Sequence, residues 1–137
     1  MKLLLLDTHI FLWLMGGDLS LSDEVKNKIT QAAKTNTLAI SAISLWEIAM
    51  LANRQRITLH QPVRDWIHDA LKTPGLTLLD LSPDILCEST ALPGELHKDP
   101  ANRMIIATAR IHHALLLTRD DNILRYANQG YLAAVRS

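Results

Sequence analysis

Four carboxylates in this 137-residue chain sit at matching places in its apolar pattern. Asp7 is the first charge after the run Leu3-Leu4-Leu5-Leu6, and Asp120 follows Leu115-Leu116-Leu117 in the same manner. Glu47 falls in the first turn of the helix after a strand at Leu38–Ser41. Asp99, with Asn102 one turn later, opens the helix that precedes the fourth strand. Short continuous apolar runs read as strands buried on both faces of a parallel sheet. Ligands of open α/β sheets bind at the carboxyl ends of such strands. The sheet therefore gathers these distant residues at one edge. Carboxylates that close repel and need compensation. A hard divalent cation supplies it, and oxygen ligands with retained waters favour Mg²⁺ or Mn²⁺ over zinc. Such a site activates water and stabilises the charge that develops on a phosphate during hydrolysis. Asp7 also has a simpler reading as the cap of the helix that follows it, and its own stretch leaves both readings open.

The elements that must position these groups are legible in order. After Asp7, Ile10 to Met15 form a short buried helix that Gly16-Gly17 stops. Ser22 caps a helix with Asp23 and Glu24 in its first turn, running to Lys34. A strand at Leu38–Ser41 precedes a helix opened by Ser44, with Glu47 as the N3 partner of a capping box. Pro62 starts a helix through Trp66 and Leu71. Leu76–Leu79 is a third strand, and Ser82-Pro83 begins a further helix. Asp99 suits an N-cap and Pro100 the first helical position. Leu115–Thr118 is the fourth strand, a helix carries Ile123 to Tyr126, and a last short strand is expected near Ala133–Val135. The alternation predicts a single three-layer α/β/α domain over 1–137, with a mainly parallel central sheet of four to five strands and right-handed crossovers.

Composition narrows the function classes. Lys+Arg and Asp+Glu are both 14, so the formal net charge is zero. That argues against gripping long duplex nucleic acid by bulk charge and leaves a small local site open. The one cysteine, Cys87, rules out an intrachain disulfide and a Cys-based zinc site, and it reads as a small core residue. The six histidines lack metal-ligand spacing. The opening run lacks a signal-peptide pattern, and no apolar segment is long enough to span a bilayer. A cytoplasmic protein without membrane contact is the expectation. Asp7-Thr8-His9 is not the Asp-x-Asp of an aspartyl-nucleophile phosphatase, and the first turn has no glycine-rich loop for a dinucleotide.

Four ordered segments carry a resemblance. They are Leu4-Leu5-Leu6-Asp7-Thr8-His9; Ser41-Ala42-Ile43-Ser44-Leu45-Trp46-Glu47-Ile48; His97-Lys98-Asp99-Pro100-Ala101-Asn102-Arg103 continuing through Ala109; and Leu116-Leu117-Thr118-Arg119-Asp120. Nearly the whole chain resembles the PIN-domain ribonucleases, in particular the VapC-type toxins of toxin–antitoxin pairs. The resemblance implies a PIN-like fold and a Mg²⁺- or Mn²⁺-dependent endoribonuclease acting on structured or single-stranded RNA of the tRNA or rRNA class. It also implies a homodimer and a cognate antitoxin that blocks the acidic groove. By this likeness Asp7, Asp99 and Asp120 hold the metal, together with Glu47, which also helps orient the attacking water. Asn102 stands where relatives carry a further aspartate. It keeps a carbonyl oxygen but brings no charge, which is compatible with a weakened site, a variant that relies on Asp99, or an inactive form. The alternative reading is a catalytically weakened PIN domain acting as a protein- or RNA-binding module.

Arg103, next to Asn102, is the favoured phosphate contact, ahead of Arg54 and Arg56, and Thr8 and Thr118 are further candidate substrate contacts. His9 and His97 are more simply structural than substrate-binding. His112-His113 suits a helix end. Trp13, Trp46 and Trp66 each lie in an apolar helical pattern and are expected in core or dimer packing rather than stacked on bases.

Overall fold

The computed structural model describes residues 2–18, 20–96 and 98–137. Five strands, β1 (Leu4–Leu6), β2 (Leu38–Ser41), β3 (Leu76–Leu79), β4 (Leu115–Thr118) and β5 (Ala133–Arg136), pair in parallel in the order β3-β2-β1-β4-β5. The chain builds outward from β1 to one edge, then crosses over to β4 on the other side. The crevice at the ends of β1 and β4 is therefore the point where strand order reverses, the usual ligand position in such sheets.

Side-chain alternation explains the continuous leucine run. Leu4 and Leu6 of β1 enter one apolar cluster with Leu38, Ile40 and Leu117, under helices α1 (Thr8–Gly16), α2 (Asp23–Lys34) and α4 (Val63–Ala70). Leu5 enters the opposite cluster with Ala39 and Leu116, under α6 (Pro100–His112) and α7 (Asp121–Asn128). Successive strand residues face opposite ways, so a strand covered on both sides must be apolar at every position. The remaining helices are α3 (Ala42–Asn53) and α5 (Pro83–Thr90), the latter packed against α6.

The caps set the helix starts, with two departures from expectation. α3 begins at Ala42 with Ser41 as its cap, its hydroxyl accepting from the Ile43 N–H. Ser44 and Glu47 thus lie inside the helix, and the capping-box reading does not hold. The strand runs into the helix without a loop, so the first polar residue takes the cap. Cys87 is exposed rather than in the core, because α5 turns Ile85 inward instead. Trp46 is 55% exposed, whereas Trp66 is buried as expected. His97 lies outside the described residues.

Gly75 turns the chain into β3 with φ +80°, and a Cβ there would come within 2.0 Å of the Ala33 carbonyl oxygen at the end of α2. Backbone cannot yield as a flexible side chain can. Gly75→Ala is expected to cost about 2–3 kcal/mol of stability in urea denaturation, while an equally stable variant would contradict this packing.

Candidate active site at the strand ends

Asp7 leaves β1 as the N-cap of α1, with Oδ1 accepting the Thr8 N–H at 2.8 Å. Its other oxygen accepts the Thr118 hydroxyl at 2.6 Å. The same hydroxyl accepts the Asp120 N–H at 3.0 Å, so Thr118 ties the ends of β1 and β4 together. Asp120 caps α7, with Oδ1 accepting the Asn122 and Ile123 N–H groups. Its Oδ2 accepts the Asn102 side-chain amide at 3.3 Å. Asp99 caps α6 as expected, accepting from the backbone of Ala101 and Asn102. Glu47 reaches across from α3, and the Thr8 hydroxyl lies 2.6 Å from its Oε1 and 2.9 Å from the Ser44 hydroxyl.

These side chains share one cavity of about 400 Å³, lined by Asp7, Thr8, Glu47, Asp99, Asn102 and Asp120, with His9, Trp13 and Arg119 on a further wall. The structure thus brings together every expected carboxylate. The simple cap reading of Asp7 and the ligand reading are both compatible with this geometry, since one oxygen caps the helix while the carboxylate still lines the cavity.

Electrostatics strains the cluster. Burial pushes the Asp7 carboxyl above the usual carboxylate range, against the hydrogen bonds from Thr118 and the Thr8 N–H, and the Asp120 charge adds to the rise. Burial likewise raises Glu47, opposed by the Thr8 hydroxyl and reinforced by the charges of Asp7 and Asp99. Among the described residues, no lysine or arginine forms an ion pair with Asp7, Glu47 or Asp120. Also among these residues, no three His, Cys, Asp or Glu side chains stand close enough to enclose an ion by themselves. A hard cation that keeps most of its waters needs only one or two direct carboxylates. The oxygen donors and their like charges, with no lysine or arginine ion pair to Asp7, Glu47 or Asp120 among the described residues, fit Mg²⁺ or Mn²⁺ in that mode.

Of the expected substrate contacts, Thr8 lines the cavity, whereas Arg103 and Thr118 do not. Arg103 turns away from the cavity, its Nε donating to the Ser89 carbonyl at 2.8 Å at the end of α5. Thr118 is fully buried and Thr8 nearly so, and both hydroxyls are taken up by carboxylates. They orient the acids. The cation on the cavity wall is Arg119, which the sequence reading passed over although it directly precedes Asp120. Trp13 is half-buried at the same wall. Its position one helical turn after His9 was the available signal.

Because Asp7 and Glu47 have raised pKa values in the fold, their protonated forms are favoured there. Their contribution to the stability of the metal-free fold is then fully present at acid pH and is lost as pH rises through the raised folded pKa values. Asn caps a helix as well as Asp does. Metal-free Asp7→Asn is therefore expected to melt about 3 °C or more above the native chain at pH 7, with the gap closing as pH falls through the raised folded pKa and gone below about 4. A lower melting temperature at pH 7 would point to a purely structural role.

A PIN domain profile matches residues 4–129 of the chain. Ribonuclease VapC22 of Mycobacterium tuberculosis is 36% identical over 123 residues, covering 88% of each protein. A toxin–antitoxin complex from Klebsiella pneumoniae superimposes with a TM-score of 0.58 at 27% identity, over 87% of this chain and 88% of that one. VapBC2 from Rickettsia felis, solved bound to a DNA fragment from its promoter, gives a TM-score of 0.72 at 20% identity over 98% of both chains.

Proposed function

The chain belongs to the PIN-domain family and is an endoribonuclease toxin with an antitoxin partner, and from that premise we propose that it cleaves structured or single-stranded RNA of the tRNA or rRNA class at the acidic cavity with the help of Mg²⁺ or Mn²⁺. The observation that carries this reading is the meeting of Asp7, Glu47, Asp99 and Asp120 in one cavity at the strand-order reversal, without an ion pair to Asp7, Glu47 or Asp120 among the described residues. Asp7 and Asp120, with Asp99 and Glu47 as further carboxylates, would hold the cation. When bound, it lowers the pKa of water and offsets charge on the phosphate.

The chain's own residues supply orientation and a proton acceptor. Thr118 fixes one Asp7 oxygen and the Asp120 backbone together. Thr8 fixes Glu47, whose carboxylate lines the cavity where it would orient the attacking water and accept its proton. Asn102 steadies Asp120 with an amide in place of a second charge. No helix among the described residues is long and apolar enough to cross a membrane, and the protein is proposed to act in the cytoplasm. The exposed Trp46 and Leu78 support the proposed homodimer.

The second reading rests on Asn102: a weakened site whose main work is binding protein or RNA. The test is cleavage of total cellular RNA by the purified chain with Mg²⁺, with Mn²⁺ and with a chelator, with fragment ends mapped by sequencing. Cleavage is expected with either metal and none with the chelator. Asp7→Asn and Asp120→Asn are expected to reduce cutting to background. Thr118→Val should lose roughly 10–100-fold, as for a residue that orients a metal-binding carboxylate. Asn102→Asp is expected to tighten Mn²⁺ binding by roughly tenfold through added ligand charge. Cleavage by the Asn102→Asp variant alone would favour the binding module, and none by any form with either metal would overturn the nuclease reading.

A further inference from the structure

The acidic cavity has a second wall for which the orientation of the carboxylates gives no use. It is formed by His9, Trp13 and Arg119. His9 and Trp13 lie one turn apart on α1, with ring centroids 6.3 Å apart and planes 25° from parallel. The Arg119 guanidinium lies over the same indole, 4.7 Å from its centroid. Arg119 is held in place: Nη2 donates to the Ser20 carbonyl at 2.6 Å, and Nε to the Ser137 hydroxyl at 2.9 Å. Among the described residues no hydrogen bond occupies its Nη1. His9 is exposed and Trp13 half-buried. The same two rings also border a neighbouring cavity of about 570 Å³, whose walls include Leu12, Leu59 and Trp66 together with Asp18 and His60.

Around one cavity this surface combines carboxylates, an anchored cation and two stacked rings, and the rings also border the neighbouring recess. A single-stranded nucleic acid presents phosphate and base side by side. Bases stack on aromatic side chains whatever their sequence, and arginine meets the phosphate between them. We propose that His9, Trp13 and Arg119 hold the nucleotide that flanks the scissile phosphate, with its base on the His9–Trp13 pair at the mouth of the recess and its phosphate on Arg119 Nη1. This assignment rests on the ribonuclease reading and gives that site its substrate-positioning part. A protein segment filling only the neighbouring recess would leave the anchored cation of the acidic cavity without a purpose.

The test uses the full chain carrying Asp7→Asn, so that RNA is bound and not cut. Fluorescence anisotropy compares a short fluorescein-labelled RNA of mixed sequence with an abasic sugar-phosphate strand of equal length. The abasic strand is expected to bind about tenfold more weakly, and that margin is expected to vanish when His9→Ala is added. His9 is exposed, so this change does not threaten the fold. Trp13→Phe keeps a ring and should keep most of the margin, whereas Arg119→Gln should weaken both strands and reduce the salt dependence by about one phosphate contact. Melting curves identify any variant that fails to fold, and His9→Ala alone then decides. Equal binding of the two strands, or a margin that survives His9→Ala, overturns the proposal. So does loss of antitoxin binding in these variants with RNA binding unchanged. Cleavage by the native chain is scored separately, so base-dependent binding without cutting would sink the nuclease reading and leave this subsite standing.

Discussion

The structure depends on one electrostatic constraint: several carboxylates must stay close together where burial already disfavours their charge. Asp7 sits at the end of a strand buried on both faces, and its charge is held there by one backbone N–H and one hydroxyl. Hydrogen bonds to the charged form only partly offset desolvation and mutual repulsion. A fold under selection for stability alone would place Asn or Ser at such a cap. Acids at Asp7, Glu47, Asp99 and Asp120 leave stored repulsion that a hard cation would relieve, a local sacrifice of stability common at functional sites.

The surrounding architecture is arranged to hold that repulsion in a fixed shape. β1 and β4 are neighbours in register, so Asp7 and Asp120 emerge side by side. Thr118 then closes the gap between them with a hydroxyl that donates to one acid and accepts from the backbone of the other. Thr8 does the corresponding work for Glu47 from across the cavity. Both threonines are buried, and their hydroxyls are fixed by these hydrogen bonds. Asn102 fits the same logic: it gives Asp120 a hydrogen bond where another carboxylate would add repulsion. The cost falls on attraction for a cation, the benefit on the stability of the empty site.

The elements and the carboxylate edge were readable in the sequence because they obey short-range rules. Leu3–Leu6 and Leu115–Leu117 announce buried strands by apolar continuity, and Asp99-Pro100 announces a helix start by capping chemistry. Parallel pairing then forces Asp7 and Asp120 together whatever lies between them. Side-chain direction was not readable. Arg103 follows Asn102 in sequence, yet one residue along a helix is a rotation of about 100°, enough to carry its guanidinium to the Ser89 carbonyl. The partners of Thr8 and Thr118 lie 39 and 111 residues away, and nothing local shows that either hydroxyl donates to a distant acid. Cys87 and Trp46 sit in apolar stretches but on the outward side of helices whose inward faces were already filled.

The most direct test of the account is where a divalent ion binds. Crystals of the chain soaked in Mn²⁺ and measured for anomalous scattering should show a strong peak in the cavity, bonded to carboxylate oxygens of Asp7 and Asp120 and otherwise to water. Mn²⁺ that bound only elsewhere on the protein, leaving this cavity without a peak, would contradict it.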